Sequence, residues 1–472
     1  MIAPYKAEPM PNRLKEIDSA ISAGDIVRAR ALLGALDLGA TDAVILQAFA
    51  ERYVQLGLFG AAGSLYQRAL VLAPDDAGLL YNAATAAIAL GRMPEAQAML
   101  DRVIALNPSD YDAYYNRATV KRWTEADNHI DAMEQLLKAG IPDHKGAVQL
   151  FYALAKEYED IGKPEQSFGH LVRGANLRAS MMRYDVAHDV KTMAKIAEVF
   201  SADVMHTLRT KSAQIPHSVQ SGEGACFPVF IVGLPRTGTT LVDRIITSHS
   251  EGEGLGEIAD LASAIVRLSG PVSDRMELIE KSAEIDFVSL SEQYKASTRG
   301  RGFEARVLTD KTPANFLYLG HIAAAMPQAK IIHLMRHPLD TCFAIYKTLF
   351  RMGYPYSYRL DHLADYYIAY RKLMAHWHKV MPGQILDVSY ENLVMDVAGE
   401  SRRIIDHCGL AWEDSVLDFH KNTSASATAS AAQVRQPVYT SSVGRWREHA
   451  EGLAPLIGRL RDAGVDLGEV VA

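Results

Sequence analysis

A pattern with a period of 34 residues constrains the fold of this chain more than any other feature of its sequence. Residues 57–74 align without gaps on residues 91–108, and each segment begins at a glycine and ends at a proline. Small residues recur at Ala62 and Ala96, where two helices must approach closely, and large residues recur four positions later. The pattern predicts helical hairpins that bury their apolar faces against their neighbours.

Apolar residues in residues 46–53 and 80–87 supply the matching first helix of each unit. This period and pattern resemble tetratricopeptide repeats, most strongly over residues 43–110. Weaker units are expected around Gly24, after Tyr111 and over residues 150–179, because terminal repeats need one polar face. The resemblance implies that the array binds a protein or peptide partner, whose identity the sequence does not name.

Composition narrows the class of protein. The chain has 472 residues, of which 49% are hydrophobic and 22% charged, and its formal net charge is −7. These values are typical of a globular chain and argue against nucleic-acid binding. No apolar run approaches the ~18–20 residues of a membrane helix, so a cytoplasmic protein is expected. The three cysteines lie far apart, in no spacing typical of a zinc site or a disulfide framework.

The second half of the chain alternates between strands and helices. Residues 218–225 indicate a linker, and the β-branched run that follows is the first of four predicted strands, at residues 227–233, 306–309, 330–335 and 384–389. Helices are expected over residues 241–248, 314–326 and 338–351. Strands that alternate with helices predict a parallel α/β sheet.

A glycine-bearing loop joins the first of these strands to a helix, which is an arrangement that binds phosphate groups. Gly233 and Gly238 have the spacing of the nucleotide triphosphatase loop. That loop needs a lysine where this chain has Thr239, and the positive charge stands instead at Arg236. Hydrolysis of ATP or GTP is therefore disfavoured.

Four motifs in the second half resemble those of sulfotransferases that use 3′-phosphoadenosine 5′-phosphosulfate (PAPS). Residues 235–240 are similar to the loop that binds the 5′-phosphosulfate in this family, and residues 330–340 to the strand that leads to its 3′-phosphate arginine. Residues 388–394 and 433–446 resemble its third conserved stretch and its C-terminal nucleotide-covering segment. Together with the repeats, they resemble bacterial repeat-containing sulfotransferases, which are related to tyrosylprotein sulfotransferases.

The resemblance implies an all-α tetratricopeptide-repeat solenoid followed by an α/β P-loop-like domain with a parallel sheet, the sulfotransferase fold. We expect the repeat array in residues 1–150 and a degenerate hairpin with a connector in residues 151–217. The sulfotransferase domain is expected in residues 218–472.

The resemblance also assigns the nucleotide site. The loop residues expected to bind the cofactor are Pro235, Arg236, Thr237, Gly238, Thr239 and Thr240. A guanidinium at Arg236 suits bidentate binding of the phosphosulfate, a geometry that lysine could not reproduce. Arg336 is expected to bind the 3′-phosphate, and Tyr390 to contact the adenine. Where the family has a serine as a second phosphate ligand this chain has Ala344. Either the 3′-phosphate loses one hydrogen bond, or Arg445 compensates, and Arg435 is another candidate donor.

Glu257 is expected to act as the general base, since it follows the loop at the spacing of the catalytic glutamate in the related tyrosylprotein enzymes. A carboxylate there could accept the proton of the acceptor, although Glu251 and Glu253 lie in the same predicted loop. His249 is expected to have a positioning role instead.

Lys311 corresponds to a family lysine that would offset negative charge near the transferring sulfate. Ser430 matches a serine that can donate to the phosphosulfate, although it lies in a run of Ala, Ser and Thr that composition alone would make a linker. Because arginines and a lysine supply positive charge, no metal is expected.

The resulting hypothesis is a PAPS-dependent sulfotransferase acting on a hydroxyl acceptor: protein tyrosine, a glycan or a small alcohol. Its acceptor pocket is expected from residues 263–299 and 350–362. Two alternatives remain open: an ATP-dependent phosphotransferase of P-loop type, and a non-catalytic repeat scaffold with a relic sulfotransferase domain.

Overall fold

The computed structural model describes most of the chain, namely residues 10–35, 39, 42–213, 227–303, 305–350, 353–426, 428, 431–436 and 438–468. The predicted linker at residues 218–225 lies outside them. The chain divides into two compact units, and the first contains the described residues up to Lys121 together with Ala296–Phe303 and the described part of Thr423–Ala432. The second unit contains the described residues of the ranges 122–295, 304–422 and 433–472.

Helical hairpins build the first unit. Its helices are α1 (Met10–Ser22), α2 (Ile26–Gly34), α3 (Ala43–Gln55), α4 (Phe59–Leu72), α5 (Ala77–Leu90), α6 (Met93–Leu106) and α7 (Tyr111–Thr119). Asp25, Asp42, Asp76 and Asp110 accept hydrogen bonds from the first-turn N–H groups of α2, α3, α5 and α7, which fixes where these helices begin.

The repeat pattern of the sequence matches the packing of these helices. Ala62, Ala96 and Leu100 are fully buried and Tyr66 is 2% exposed, as expected for the small and large positions of the pattern. A separate short stretch of this unit places Ser426 against α5, where its N–H donates to the carbonyl of Ala89 at 2.8 Å. The all-α repeat fold predicted for the first part of the chain is confirmed.

Within residues 122–213, the first described stretch of the second unit, there are five more helices. These are α8 (Ile130–Ala139), α9 (His144–Asp160), α10 (Pro164–Ser180), α11 (Val186–Val199) and α12 (Ala202–Ala213). The domain boundaries expected at residues 150 and 217 stay predictions. Of the described residues, none belongs to a helix long and apolar enough to cross a membrane. The cytoplasmic location also stays a prediction.

A five-stranded, wholly parallel sheet forms the centre of the second unit, in the order β2-β3-β1-β4-β5. Its strands are β1 (Phe227–Gly233), β2 (Gly252–Gly256), β3 (Val307–Asp310), β4 (Lys330–Met335) and β5 (Ile385–Ser389). β1 is the middle strand of this order, and its residues Val229 to Val232 are fully buried. The predicted parallel sheet is confirmed, and its carboxyl edge is where a ligand is expected in such folds.

Helices cover the sheet and connect its strands. They are α13 (Thr239–Ile246), α14 (Asp260–Ser269), α15 (Arg275–Ser282), α16 (Phe287–Arg299), α17 (Leu319–Ala325), α18 (Pro338–Tyr346), α19 (Leu360–Val380), α20 (Tyr390–Met395), α21 (Val397–His407) and α22 (Ala454–Asp462). Short 3₁₀ helices occupy Pro313–Tyr318, Pro355–Tyr358, Asp414–Lys421, Gln433–Arg435 and Arg445–His449.

The edge strand β2 was not predicted, because a run of glycines and glutamates has low strand propensity. The segment expected to be a loop pairs instead with β3. Glycine is needed here, since a Cβ atom on Gly252 would lie 2.2 Å from the carbonyl oxygen of Ile246. Close packing therefore selects the residues that make the strand hard to recognise.

Candidate active site

The loop after β1 turns the chain into α13 at the carboxyl edge of the sheet. Thr237 is buried, and its hydroxyl donates to the carbonyl of Leu234 at 2.8 Å. Gly238 has φ +103°, and a Cβ there would lie 2.7 Å from Cδ2 of Tyr390. Since no side chain of the described residues caps α13, the N-terminus of this helix favours an anion.

Arg236 occupies the bend of this loop with φ +68°, which is rare for a residue other than glycine. Its Nη2 donates to Oε1 of Gln433 at 2.7 Å. Backbone strain of this kind clusters at ligand-binding sites, where the surrounding structure must hold it. The predicted phosphosulfate arginine therefore lies at a strained position in the predicted loop.

Arg336 follows β4 and lies against the same loop. Its Nη1 donates to the carbonyl of Arg236 at 3.0 Å, and its Nη2 to the carbonyl of Ser442 at 2.6 Å. The guanidinium carbon lies 4.8 Å from the centre of the Tyr390 ring, whose hydroxyl is 2.8 Å from that of Ser442. The structure therefore brings together the loop, Arg336, Tyr390 and the C-terminal segment, four motifs far apart in the sequence.

The hydrogen bonding of Arg336 indicates whether this site fits a phosphate. Its Nε is buried and has no hydrogen-bond partner among the described residues. A buried donor without a partner is costly, and an anionic oxygen is the acceptor that best satisfies a guanidinium. Together with the uncapped N-terminus of α13, this donor fits the phosphate groups of the cofactor that the sequence motifs imply.

Glu257 and Lys311 meet on the other side of β1. The N–H of Lys311 donates to the carbonyl of Gly256 at 3.0 Å, which holds the two residues side by side after β2 and β3. Nζ of Lys311 donates to Oε1 of Glu257 at 2.5 Å. The lysine side chain is 2% exposed and the glutamate side chain 44%, so the carboxylate faces solvent while the ammonium lies in the interior.

Asp243 is a neighbour of this pair that the sequence analysis missed. It lies on α13, and its Oδ1 accepts a hydrogen bond of 2.5 Å from the hydroxyl of Thr309. Burial raises the pKa of Asp243, although the charge of Lys311 and the Thr309 hydrogen bond oppose the shift. An acidic residue within the mostly buried helix α13 is the sequence feature that could have identified Asp243.

Asp310, which ends β3, was also missed. It is fully buried, and its two carboxyl oxygens accept hydrogen bonds from Thr312 at 2.7 Å and Tyr294 at 3.0 Å. Burial outweighs these hydrogen bonds and raises the pKa of Asp310 to about 7. Shifts of this size cluster at functional sites. Asp310, which directly precedes Lys311, is therefore a candidate functional residue.

Tyr354 lies near Glu257 and has an unusual backbone. Its φ is +50° and its ψ +48°, and its ring meets that of Phe350 edge to face at 4.8 Å between centres. Burial, with the added charge of Glu257, raises the pKa of Tyr354. The stretch predicted to build the acceptor pocket thus contributes an aromatic side chain close to the predicted base.

The other predicted residues have separate positions. Ser430 lies outside the described residues. Nε of Arg445 is 3.1 Å from Oε1 of Glu159, which also accepts a hydrogen bond from Lys347 at 2.6 Å. Burial alone would raise the pKa of Glu159, but the positive charges of Lys347 and Arg445 lower it to about 2. Ala344 is buried on α18. The guanidinium of Arg445 is thus engaged by a carboxylate, and its role toward a 3′-phosphate stays a prediction.

Arg435 and His249 both form hydrogen bonds with the backbone. Arg435 donates to the carbonyl of Asn422 at 3.4 Å. Nε2 of His249 lies 2.8 Å from the carbonyl of Ala411, and its Nδ1 accepts from the N–H of Glu251. These contacts hold the turn before β2, in line with the positioning role expected of His249.

Comparisons with known proteins agree with this architecture. Residues 228–414 match the sulfotransferase family, and residues 53–118 match the tetratricopeptide repeat. An uncharacterized protein of Aquifex aeolicus (strain VF5) is 30% identical over 351 residues. The alignment covers 71% of this chain and 44% of that protein, so the chain spans less than half of its length.

Named sulfotransferases are more distant. Protein-tyrosine sulfotransferase 2 of Gallus gallus is 23% identical over 263 residues, which cover 49% of this chain and 68% of that protein. The sulfotransferase domain of the olefin synthase of Synechococcus PCC 7002 is 20% identical with a TM-score of 0.38, covering 53% of this chain and 98% of that domain. The chain is thus similar to sulfotransferases over residues 228–414 and to the tetratricopeptide repeat over residues 53–118.

Proposed function

We propose that this chain transfers a sulfuryl group from PAPS to a hydroxyl acceptor, with Glu257 as the general base. The observation that carries the proposal is the contact of 2.5 Å between Nζ of Lys311 and Oε1 of Glu257. Lys311 follows β3, the strand next to β1, and Glu257 follows β2, the strand beyond it. The loop after β1 contains Arg236. A proton acceptor and a positive charge are the two groups that this transfer requires.

The chemistry balances with these groups alone. The bond between sulfur and the 5′-phosphate oxygen breaks as a bond between sulfur and the acceptor oxygen forms. The acceptor proton passes to Glu257, and the leaving bisphosphate keeps the electron pair of the broken bond. Lys311 and Arg236 would offset the charge that develops on the transferring and leaving oxygens.

The nucleotide side of the proposal depends on Arg336 and Tyr390. The partnerless Nε of Arg336 would bind the 3′-phosphate, and the ring of Tyr390, which already packs on a guanidinium, would contact the adenine. These groups distinguish a 3′-phosphorylated nucleotide from ATP, which has no phosphate at that position.

The test is calorimetric titration of the full chain with 3′-phosphoadenosine 5′-phosphate, AMP and ATP. Loss of one charge-assisted contact changes affinity by roughly 10–150-fold, so the bisphosphate should bind that much more tightly than AMP. Equal affinities would contradict the use of PAPS. Phosphate transfer from ATP with magnesium would support the phosphotransferase alternative, and tight binding without any sulfate transfer would support the relic scaffold.

For the acceptor, Tyr354 and Phe350 favour an aromatic hydroxyl over a glycan or an alkyl alcohol. Their rings meet edge to face, and the charge of Glu257 contributes to the raised pKa of Tyr354. An aromatic acceptor would gain contact with these rings. The test compares kcat/KM for tyrosine peptides, phenols, sugars and small alcohols. A clear preference for sugars would exclude this assignment while leaving the sulfotransferase proposal intact.

The repeat unit supports a further part of the proposal, a protein or peptide partner. Helices α4, α5 and α6 enclose a cavity of about 310 Å³ lined by Tyr66, Leu90 and the exposed Arg92. Arg92→Glu should weaken partner binding, whereas Arg102→Glu, on the same helical unit but not in the cavity lining, should not. Identical binding by the two variants would exclude this cavity as the contact surface.

A further inference from the structure

Three side chains of types that bind metal ions converge in the second unit. His333 lies on β4, Asp387 on β5 and His378 near the end of α19. Their ligand atoms all lie within 4.8 Å of one another. Nδ1 of His333 is 2.7 Å from Oδ1 of Asp387, and Nε2 of His378 is 3.2 Å from that same oxygen.

The framework holds these side chains in place. His333 and Asp387 are direct partners in the parallel pairing of β4 with β5. His378 follows Trp377 on α19, and Trp377 is fully buried with its Nε1 donating to the carbonyl of Phe316 at 2.9 Å, which holds this part of the helix in place. The convergence therefore follows from two strands and one helix, and not from mobile loops.

A partner for the second nitrogen of His333 is also present. Its Nε2 is hydrogen-bonded to the hydroxyl of Tyr370 on α19. Histidines that bind metals almost always use their other ring nitrogen in such a bond, which fixes the orientation of the ring. Tyr370 thus leaves Nδ1 as the nitrogen of His333 that faces Asp387 and His378.

We propose that His333, His378 and Asp387 form a zinc-binding site. Nδ1 of His333, Nε2 of His378 and one carboxylate oxygen of Asp387 would bind the ion. Two imidazoles and one carboxylate are a donor set that zinc accepts, at about 2.0–2.2 Å to each ligand. The ion would replace the direct contacts that the two imidazoles now make with Oδ1 of Asp387.

The proposed site is open to solvent on one side. The side chains of His378 and Asp387 are 38% and 36% exposed, whereas that of His333 is 3% exposed. An ion can therefore enter from the solvent side, and water can supply the fourth ligand that a tetrahedral zinc site needs. Bound zinc would tie β4 and β5 to α19 and so stabilise the folded chain.

The proposal is independent of the sulfotransferase activity, so its test measures metal binding. The full chain, without a histidine tag and freed of metal with a chelator, is titrated with zinc chloride by calorimetry. One ion per chain is expected. Cobalt(II) should give the intense visible absorption of a tetrahedral site, and zinc should raise the midpoint of thermal unfolding.

Two variants and one control decide between this site and adventitious binding. Because loss of even an outer-shell partner typically costs 10–100-fold in metal affinity, His378→Ala and Asp387→Asn should each lose at least ~100-fold. Asp387→Asn keeps the side-chain shape and serves if His378→Ala is unstable. The control is His188→Ala, which removes a histidine that is 80% exposed and lies near Asp185.

Binding by the control should equal that of the wild type. The proposal is overturned if the wild type binds no stoichiometric zinc. It is equally overturned if His378→Ala and Asp387→Asn, both folded, bind zinc as tightly as the wild type.

Discussion

The two strands that flank β1 end in opposite chemistry. Beyond β3, the carboxyl groups of Asp243, Glu257 and Asp310 surround or adjoin a single buried lysine, Lys311. Beyond β4, the guanidinium of Arg336 lies on an aromatic ring and donates to the backbone carbonyls of Arg236 and Ser442. Both ends adjoin the same central strand.

This contrast separates two tasks. Carboxyl groups can accept a proton but repel a phosphate, whereas a guanidinium binds phosphate and cannot act as a base. We infer that acceptor chemistry belongs to the β3 end and nucleotide binding to the β4 end. A substitution at the β3 end that alters nucleotide binding, or one at the β4 end that alters acceptor chemistry, would contradict this division.

The largest effect is expected from Glu257→Gln at the β3 end. Glutamine keeps the volume of the side chain but cannot accept a proton, so kcat should fall by about 10²–10⁴ while nucleotide affinity barely changes. Steady-state kinetics and calorimetry measure the two quantities. Glu253→Gln is the matched control, because Glu253 contacts the N–H of Ala305 instead. An active Glu257→Gln beside an inactive Glu253→Gln would show that the base has been misassigned.

Asp310→Asn tests the buried carboxyl at the same end through stability. Its pKa of about 7 lies above the ordinary 3.8, so the stability that Asp310 contributes is full below pH 3.8 and lost as the pH rises through 7. Asparagine mimics the protonated form. Well above pH 7 the variant should be more stable than the wild type by roughly 2–4 kcal/mol, with little difference near pH 4.

Urea unfolding at several pH values measures this difference. The exposed Asp406→Asn is the control for loss of a carboxylate at the surface. A difference between Asp310→Asn and the wild type that does not change with pH would contradict the raised pKa of Asp310.

Arg336→Lys tests the β4 end. Lysine keeps the charge but loses the planar guanidinium, so affinity for the bisphosphate should fall by roughly 10–150-fold with little change for AMP. Arg403→Lys, which changes an arginine that is 48% exposed and paired with Glu400, is the control. A loss that is equal for AMP and the bisphosphate would remove the assignment of Arg336 to the 3′-phosphate.

Gly238→Ala tests the contact between the loop and Tyr390. The added Cβ would lie 2.7 Å from the tyrosine ring at a residue with φ +103°, which should lower the free energy of unfolding by roughly 1–3 kcal/mol. Nucleotide affinity should fall as Tyr390 is displaced. Thermal unfolding and calorimetry measure both, and a variant with wild-type values would show that the loop relaxes freely.

Ala344→Ser should have the smallest effect. It introduces the phosphate ligand expected at this position of the family motif, on the buried face of α18. One neutral hydrogen bond adds about 0.5–1.5 kcal/mol, so the bisphosphate should bind up to roughly tenfold more tightly. AMP binding should not change. Weaker binding of both nucleotides would mean that the hydroxyl only disturbs the packing of the helix.

Much of the fold could be predicted because it depends on local patterns. The 34-residue period indicated hairpins, since each repeat contacts mainly its neighbours, and β-branched runs indicated four of the five strands. β2 could not be predicted, because its glycines are required by the close approach of Ile246, a contact between residues on either side of a turn.

The candidate site divides in the same way. Arg236, Glu257, Lys311, Arg336 and Tyr390 were predicted from short motifs, and the structure brings them to one edge of the sheet. Asp243 and Asp310 were missed because their importance comes from burial and from partners such as Lys311 and Tyr294, and neither property can be read from adjacent residues.

By itself, the sequence determined the repeat array, the parallel sheet and the family motifs, because period, strand alternation and loop chemistry are written within a few tens of residues. Only the tertiary structure decided which charges meet. The Lys311–Glu257 contact, the engagement of Arg445 by Glu159, and the convergence of His333, His378 and Asp387 join residues up to 286 positions apart along the chain. Such pairings depend on strand order and register, which arise only when the whole sheet is packed.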